Sequence, residues 1–354
     1  KIPELEIKID ACFLSNPYAT DLFLENLNNE LILTGKLRDY MEFYPSQNNV
    51  IAKSIAKSIN LDAKNIFVGN GAIEVIQAVM HNYVRNSLVV NIPTFSSYYE
   101  FVKSDTDVHY YQLDKSENYL LDVEKYLNFV KSVKPNTVII INPNNPNGGY
   151  LNIDELERII KELNYIENII IDESFIHFAY EDNTLDLKSA TNIFNKYPNL
   201  IIIKSMSKDF GIAGIRAGYG VMSQHKVKNL LSNGYLWNCS GLTEYFFKLY
   251  SKKSFFENYN VIRKSYINET KIFFNELSSI PQIKVYPTMA NFALIELLDG
   301  SSSSQFVSKL LIRYGIYTRV CDDKIGLNGE FVRIASRTKE ENQIIIKSIK
   351  NIFN

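Results

Sequence analysis

The chain has 354 residues and a formal net charge of −1, with 38 Lys and Arg residues interspersed among 39 Asp and Glu residues. This balance lacks the basic surface that nucleic acid or anionic lipid would require, and no apolar run approaches the roughly 18 residues of a membrane-spanning helix. Three scattered cysteines predict reduced thiols and a cytoplasmic location, and four histidines without ligand spacing predict no metal site. Because the chain begins with Lys1 rather than Met, an upstream segment stays an open alternative.

The predicted elements alternate between strands and helices over much of the chain. Short β-branched runs predict seven strands, at 65–68, 88–92, 108–113, 137–141, 168–172, 200–204 and 217–222. Helical periodicity fills the intervals, for example at Ile73, Ile76 and Val79. Continuous apolar strands separated by helices are typical of a mostly parallel sheet covered on both faces. The sequence therefore predicts one large α/β domain, assigned to residues 46–250.

The pattern changes on both sides of this domain. Residues 1–45 show no strong period and are predicted to form an N-terminal arm. Beyond residue 250, a long helix over 255–279 is followed by strand-like segments. Residues 251–354 are therefore predicted to form a smaller α+β domain with a partly antiparallel sheet.

Chemically useful side chains follow the predicted strands, at the edge where open α/β sheets bind ligands. The turn GNGAIE, residues 69–74, opens a helix, where backbone N–H groups and the positive helix end can hold a phosphate. The later strands are followed by Phe95, Asn145, Asp172, Ser205, Ser207, Lys208 and Arg216. Taken singly, Phe95 is explained by core packing and Lys208 by solvation, but a carboxylate such as Asp172 is costly to bury without a cationic partner.

Together these groups suit one ligand, an anionic phosphate joined to a flat heteroaromatic cation that carries an aldehyde. Lys208 would form the Schiff base, and Asp172 would keep a ring nitrogen protonated so that the ring accepts electrons. Phe95 would stack on the ring, and Asn145 would donate to its phenolic oxygen. The phosphate would be held by the Gly71 and Ala72 amides, Ser205, Ser207 and Arg216.

The ordered motifs GNGAIE, PTFSSY, NPNNPNG, IIIDES, SMSKDFGIAGIRAGY and FVRIASRT resemble those of the class I/II aminotransferases, which are fold type I pyridoxal-phosphate enzymes. Within this family the chain is similar to the branch of histidinol-phosphate aminotransferases and threonine-phosphate decarboxylases, over essentially its whole length. The resemblance implies an α/β fold whose large domain holds a mostly parallel seven-stranded sheet, a smaller α+β C-terminal domain, and pyridoxal 5′-phosphate as cofactor.

The resemblance also implies roles for residues outside the ring and phosphate set. Tyr44 matches the tyrosine that reaches the cofactor phosphate of the neighbouring subunit, in a homodimer with shared active sites. Arg333 matches the arginine that grips the substrate α-carboxylate, and Arg319 matches a position that helps to hold a distal phosphate. Asn16 lies in the segment that closes over the site, and Arg337 is a further candidate for substrate binding.

Two departures from the family pattern bear on the reaction. The aminotransferase branch usually has tyrosine where the motif DESF places Phe175, and a small residue where RIASRT places Arg337. Both residues look more like those of the phosphothreonine decarboxylase. A surface pairing of Arg337 with Glu340 or Glu341 is an equally good explanation for that arginine, and we interpret His177 as structural.

Transamination and decarboxylation both begin when Lys208 exchanges its imine for the substrate amine, and the orientation of the substrate then decides between them. Because transamination is the commonest chemistry on this scaffold, the primary expectation is an aminotransferase acting on a small phosphorylated amino compound. Decarboxylation of a phosphorylated amino acid is the alternative. A non-catalytic ligand sensor would need a DNA-binding segment that the chain lacks, and a serine hydrolase would need a G-x-S-x-G elbow.

Overall fold

The computed structural model describes residues 6–353. The strands are β1 (Ile9–Asp10), β2 (Ile66–Asn70), β3 (Ser87–Ile92), β4 (Asp107–Gln112), β5 (Thr137–Ile141), β6 (Asn168–Asp172), β7 (Leu200–Ser205), β8 (Ala217–Val221), β9 (Ile283–Val285), β10 (Phe292–Leu297), β11 (Ile316–Tyr317), β12 (Arg319–Val320) and β13 (Phe331–Ala335). The helices are α1 (Pro17–Leu27), α2 (Leu37–Glu42), α3 (Asn48–Ile59), α4 (Ala72–Tyr83), α5 (Ser97–Glu100), α6 (Val123–Val133), α7 (Ile153–Glu162), α8 (Gln224–Ser232), α9 (Gly241–Tyr250), α10 (Lys253–Leu277), α11 (Ser303–Tyr314) and α12 (Lys339–Phe353).

Strands β2 to β8 form one seven-stranded sheet in the order β2-β8-β7-β6-β5-β3-β4. Only β8 runs against its neighbours, because it pairs antiparallel with both β2 and β7 while the other pairings are parallel. The predicted mostly parallel seven-stranded sheet is therefore confirmed. Its parallel strands all end at one edge, so the segments that follow β2, β3, β5, β6 and β7 lie near one another.

Burial on both faces explains why these strands read as continuous apolar runs. Every residue of β5 is buried. Val138 and Ile140 pack into a hydrophobic cluster on one face of the sheet, whereas Ile139 and Ile141 pack into a second cluster on the other. Full burial of one such aliphatic side chain stabilises the fold by about 1.5–3 kcal/mol, so a polar residue in β5 would be strongly destabilising.

The predicted N-terminal arm contacts both parts of the molecule. β1 pairs in parallel with β11. α1 begins at Pro17, with the Asn16 side chain as its N-cap, and it buries Phe23 in the core of the large domain. The domain limits near residues 45 and 250 stay predictions.

The C-terminal part combines an antiparallel sheet with long helices. Strands β9, β10, β12 and β13 form a four-stranded sheet in the order β12-β13-β10-β9. The long helix predicted for 255–279 is confirmed as α10, Lys253–Leu277. The second α+β unit is therefore confirmed. Arg333 of its strand β13 lines a cavity together with residues of the large sheet. Among the described helices, none combines the length and apolarity needed to cross a membrane.

Candidate active site

A cavity of about 240 Å³ lies at the carboxyl-terminal edge of the large sheet. Most of the site residues predicted from the motifs line this cavity: Ala72, Phe95, Asn145, Asp172, Ser205, Ser207, Lys208, Arg216 and Arg333. The N-terminal segment closes part of the wall with Cys12, Phe13 and Leu14. Residues far apart in the sequence are therefore assembled around one space, as expected from strands that end at the same edge.

One end of the cavity is built to hold an anion. Helix α4 begins at Ala72, directly after Gly71, which has φ of +77°. A Cβ atom on Gly71 would lie 2.5 Å from Nη2 of Arg216, so the guanidinium passes directly over this helix start. The Ser205 and Ser207 side chains line the same cavity. The Gly71 N–H, which was predicted to hold the phosphate, instead donates to the Gly69 carbonyl at 2.8 Å. The N–H groups of the first turn, the positive end of this 12-residue helix and the guanidinium together favour a phosphate.

The cavity also contains a buried carboxylate, which requires a cation as its partner. This is Asp172, the last residue of β6, which is 3% exposed. Its Oδ2 atom accepts a 2.6 Å hydrogen bond from the Tyr98 hydroxyl, and its Oδ1 atom accepts a 2.7 Å bond from the Ser174 backbone N–H. Burial raises the pKa of the Asp172 carboxyl, and hydrogen bonding from Ser174 and Tyr98, together with the positive charge of Lys204, opposes that shift. Among the described residues, no Lys, Arg or His lies within ion-pair distance of Asp172. A protonated ring nitrogen in the cavity would supply the missing positive charge.

Tyr98 contacts the site residue Asp172, although none of the sequence motifs predicts it as a site residue. It lies on the short helix α5, three residues after Phe95, and its side chain is fully buried. The available signal was the three-residue spacing, which puts both aromatic side chains on the same turn. Nothing in the sequence distinguishes this tyrosine from an ordinary core residue, because its partner Asp172 lies 74 positions away.

Lys208 follows β7 and lines the cavity beside Asp172 and Arg216. Burial lowers the pKa of the Lys208 amine, and the positive charges of Arg333 and Arg216 lower it further. A larger fraction of the amine is therefore neutral and nucleophilic near pH 7 than for an exposed lysine. The Lys208 carbonyl accepts hydrogen bonds from the Asn16 and Gly211 backbone N–H groups, at 2.9 and 3.2 Å. Asn16 thus meets the site through its backbone, while its side chain caps α1.

Arg333 connects three separate segments at the cavity wall. Its Nη1 atom donates to Asn145 Oδ1 at 2.7 Å, and its Nη2 atom donates to the Cys12 carbonyl at 3.0 Å. Its buried Nε atom has no hydrogen-bond partner among the described residues. Because Asn145 uses its oxygen on Arg333, its amide nitrogen is left to donate to another acceptor, such as a ring oxygen.

Two other arginines that were predicted to bind substrate do not line the cavity. Arg319 donates to Asp323 Oδ2 at 2.8 Å in a half-exposed ion pair. The Nε atom of Arg337 lies 3.4 Å from Glu341 Oε2, which is one of the pairings weighed as an alternative explanation for this residue. Nη1 of Arg337 also donates to the Ser15 carbonyl at 3.5 Å.

Tyr44 does not line the cavity of its own chain either. Its side chain is 91% exposed, and its ring stacks on Trp237 with 6.1 Å between centroids and 27° between planes. Met41 and Phe43 are also largely exposed nearby in sequence. This group forms an apolar surface rather than part of the site within one chain.

A buried polar network lies behind the lysine loop. Lys204 forms an ion pair with Asp209, the residue after Lys208. Nδ1 of His177 is 2.9 Å from the Tyr259 hydroxyl and 3.5 Å from Asp209. Burial lowers the pKa of the His177 ring well below its usual value, so the ring is neutral. Like the Lys204–Asp209 pair, His177 does not line the cavity.

Comparison with known proteins identifies the family. A model of the family "Aminotransferase class I and II" matches residues 15–349. An L-serine phosphate decarboxylase of Campylobacter jejuni is 63% identical over 353 residues, covering 100% of this chain and 90% of the relative. An L-serine phosphate decarboxylase of Sulfurospirillum multivorans is 47% identical, covering 99% of this chain and 90% of the relative. A histidinol-phosphate aminotransferase of Methanococcus aeolicus is 31% identical, with coverages of 88% and 82%.

A solved structure of high similarity is also that of a decarboxylase. The structure of a decarboxylase from Sulfurospirillum multivorans matches with a TM-score of 0.96 and 47% identity, covering 99% of this chain and 89% of that one. The fold type I architecture and the predicted branch are therefore confirmed.

The primary expectation of an aminotransferase is wrong. Two relatives that match along the whole chain are decarboxylases, as is the protein whose solved structure matches with a TM-score of 0.96, whereas the histidinol-phosphate aminotransferase is much less similar. The expectation followed the commonest chemistry of the scaffold, although Phe175 and Arg337 already departed from the aminotransferase pattern. The findings favour the decarboxylase alternative.

The site residues fit the cofactor that this family uses. Asp172 is a buried carboxylate that needs a cation, the start of α4 with Arg216 forms an anion cradle, and Lys208 lines the same cavity as Asp172 and Arg216. A phosphorylated pyridinium aldehyde matches all three features. Together with the family match over residues 15–349, this fit shows that the chain belongs to the class I and II aminotransferase family and that its cofactor is pyridoxal phosphate.

Proposed function

We propose that the chain is a pyridoxal-phosphate-dependent decarboxylase of a phosphorylated amino acid, with O-phosphoserine as its substrate. The observation that carries this proposal is the 63% identity, over the whole chain, to an L-serine phosphate decarboxylase. Phe175, which lines the cavity where aminotransferases of this branch carry tyrosine, supports it independently. The reaction removes the α-carboxyl group as CO₂ and leaves O-phosphoethanolamine.

The bound cofactor supplies an electron sink for the electron pair that the carboxylate leaves behind. Asp172 keeps the ring nitrogen protonated, because a buried carboxylate without a protein cation favours a positive partner. Lys208 would hold the cofactor through its aldehyde, and its amine would deliver the proton that replaces the carboxyl group at the substrate Cα. Its lowered pKa suits a group that must both lose and return a proton near neutral pH.

The remaining cavity residues hold the cofactor in place. Phe95 would stack on the ring, and Asn145 would donate its amide N–H to the ring oxygen. The cofactor phosphate would be held by the start of α4 at Gly71 and Ala72, together with Ser205, Ser207 and Arg216.

The substrate carries two anionic groups, so it needs several donors. Arg333 lies in the cavity with a free Nε donor, and it is the main candidate. Arg319 and Arg337 are proposed to contribute from outside the cavity lining, where each can exchange its present carboxylate partner for the substrate phosphate. Asn16 belongs to the segment that closes over the bound substrate.

We also propose a homodimer with shared sites, located in the cytoplasm. The exposed Tyr44 and its apolar neighbours support the dimer, with Tyr44 reaching the partner's cofactor phosphate. The three unpaired cysteines support a reducing compartment. Mixing Lys208→Ala with Tyr44→Ala subunits should restore part of the activity, since one site of each heterodimer is intact. Full activity of a monomer at high dilution would contradict the shared site.

The reaction is tested by incubating the protein with O-phosphoserine, O-phosphothreonine or histidinol phosphate, with and without 2-oxoglutarate. CO₂ and O-phosphoethanolamine should form in equal amounts from O-phosphoserine without any 2-oxo acid. Lys208→Ala is the inactive control. A keto product that requires 2-oxoglutarate, without release of CO₂, would overturn the proposal.

A further inference from the structure

Tyr98 is a buried polar side chain that contacts the cofactor site through Asp172. Its hydroxyl donates to Asp172 Oδ2 at 2.6 Å, and the whole residue is inaccessible to solvent. Its ring meets the Phe95 ring edge-on, with 6.5 Å between centroids and 78° between planes. The same turn of chain therefore presents Phe95 to the cavity and supports the carboxylate that faces it.

The two hydrogen bonds on Asp172 restrict both its orientation and its charge. Tyr98 donates to one carboxylate oxygen and the Ser174 backbone N–H donates to the other, so rotation of the carboxylate plane would break one of them. Both donors favour the ionised form against the effect of burial. Each oxygen keeps a further lone pair, which is available to a donor in the cavity.

Tyr98 can act only as a donor in this pair. Burial, together with the neighbouring Asp172 charge, raises the pKa of Tyr98 well above its usual value. The Tyr98 hydroxyl therefore keeps its proton at any pH where the protein is folded and active. Asp172, and not Tyr98, is the group of this pair that ionises. Substitution at position 98 removes the donor to Oδ2, whereas the backbone donor of Ser174 to Oδ1 stays in any variant. The Ser174 side chain also favours the ionised carboxylate.

We propose that Tyr98 is a positioning residue that keeps the Asp172 carboxylate ionised and aimed at the ring nitrogen of pyridoxal phosphate. Tyr98 touches neither substrate nor reacting carbon, and it acts through Asp172. The proposal rests on the cofactor and not on which bond of the substrate breaks. The proposal about Tyr98 can therefore be wrong while the decarboxylase assignment is right, and the decarboxylase assignment can be wrong while the proposal about Tyr98 is right.

The variant Tyr98→Phe removes the hydroxyl and keeps the ring, and Tyr126→Phe is its matched control. Tyr126 is also fully buried, and its hydroxyl has no hydrogen-bond partner among the described residues. Tyr126 does not line the cavity. Thermal unfolding of both variants, measured without cofactor, establishes that each is folded.

The first measurement compares cofactor affinities. Full-length protein freed of cofactor is titrated with pyridoxal phosphate and with its 1-deaza analogue, in which C–H replaces the ring nitrogen. Tyr98→Phe should reduce the preference for the natural cofactor about 10- to 100-fold, the range for a hydrogen bond to a charged group, and leave the analogue's affinity unchanged. Tyr126→Phe should change neither. Equal weakening of both ligands, or no weakening, would show that Tyr98 serves packing only.

The second measurement observes the nitrogen directly. With ¹⁵N in the ring of the bound cofactor, NMR reports whether that nitrogen is protonated, and Tyr98→Phe should shift its loss of the proton downward by about one pH unit. Turnover should fall through kcat with KM nearly unchanged. If Tyr98→Phe does not fold, 3-fluorotyrosine at position 98 keeps the shape and makes a stronger donor, so the titration should move upward instead. A titration identical to wild type in the variant tested would refute the proposal.

Discussion

Gly71→Ala tests the proposed phosphate cradle most directly. Gly71 has φ of +77° and ψ of 164°, a backbone conformation that is essentially restricted to glycine and costs another residue about 1–3 kcal/mol. The new Cβ would also lie 2.5 Å from Nη2 and 2.9 Å from Cζ of Arg216. A guanidinium at the end of a flexible side chain can move away, but it then leaves the start of α4. The substitution therefore affects both stability and the anion site.

Losing one charge-assisted contact to the cofactor phosphate corresponds to about 1.5–3 kcal/mol, or about 10- to 100-fold in affinity. Equilibrium titration of cofactor-free protein with pyridoxal phosphate measures this change, and urea unfolding without cofactor measures the strain separately. Gly214→Ala is the matched control, because Gly214 is in the same segment as Arg216 and an added Cβ there meets nothing within 4 Å. It should leave the affinity within about twofold.

The reasoning fails if Gly71→Ala binds pyridoxal phosphate as tightly as wild type while unfolding at lower urea. That result would mean that Arg216 contributes nothing to the phosphate site from its present position. A loss of affinity in Gly214→Ala equal to that in Gly71→Ala would also refute it, because the effect would then come from the loop and not from the guanidinium.

Three further predictions concern charge. Burial raises the pKa of Glu173 to about 7, above its unfolded value, so its contribution to stability is present below about pH 4.5 and is lost as pH rises through 7. In urea unfolding measured from pH 4.5 to 8, Glu173→Gln should remove this decline of about 3 kcal/mol in the free energy of unfolding. A variant with the same pH profile as wild type would contradict the prediction. Asp172→Asn should bind the cofactor but lose roughly 10²-fold or more in kcat, because an amide cannot hold the ring proton; near-normal turnover would remove Asp172 from the mechanism. Arg319→Ala should weaken O-phosphoserine and leave any slow reaction of serine unchanged, whereas Arg333→Ala should harm both; equal wild-type efficiency on serine and O-phosphoserine would show that the distal anion is not recognised.

The large sheet could be predicted because its physics is local. A strand buried on both faces is apolar through its centre, so β5 and β6 appear as TVIII and NIIID with the limits that the structure has. Parallel strands also end at one edge, which is why Asp172 and Lys208 could be placed in one site without knowing any distance. The sequence pattern thus predicts both the scaffold and the residues attached directly to its strand ends.

Long-range partners could not be predicted in the same way. Gly211 and Gly214 look alike in the sequence, yet a Cβ on Gly211 would lie 2.4 Å from the Asn16 carbonyl, whereas Gly214 faces open space. The first glycine is required by the close approach of α1 and by its own φ of +63°. The Tyr98–Asp172 pair was missed for the same reason, because only the folded chain shows which buried tyrosine meets a carboxylate.

The choice of reaction depends on residues that do not belong to the strand ends. Phe175 is buried beside the cavity, and its ring packs edge-on against Phe292 with 5.0 Å between centroids. Both belong to an apolar cluster that also contains Leu14, from the N-terminal segment that closes the wall. We propose that the reacting carboxylate faces this wall, with the Arg333 guanidinium 5.4 Å from the centre of the Phe292 ring, because an apolar surface disfavours a carboxylate relative to neutral CO₂. A tyrosine at position 175 would place a hydroxyl in this wall, whereas phenylalanine provides none. A single missing oxygen in the motif DESF therefore points to decarboxylation, but its effect depends on Phe292 and Leu14, whose positions only the folded chain reveals.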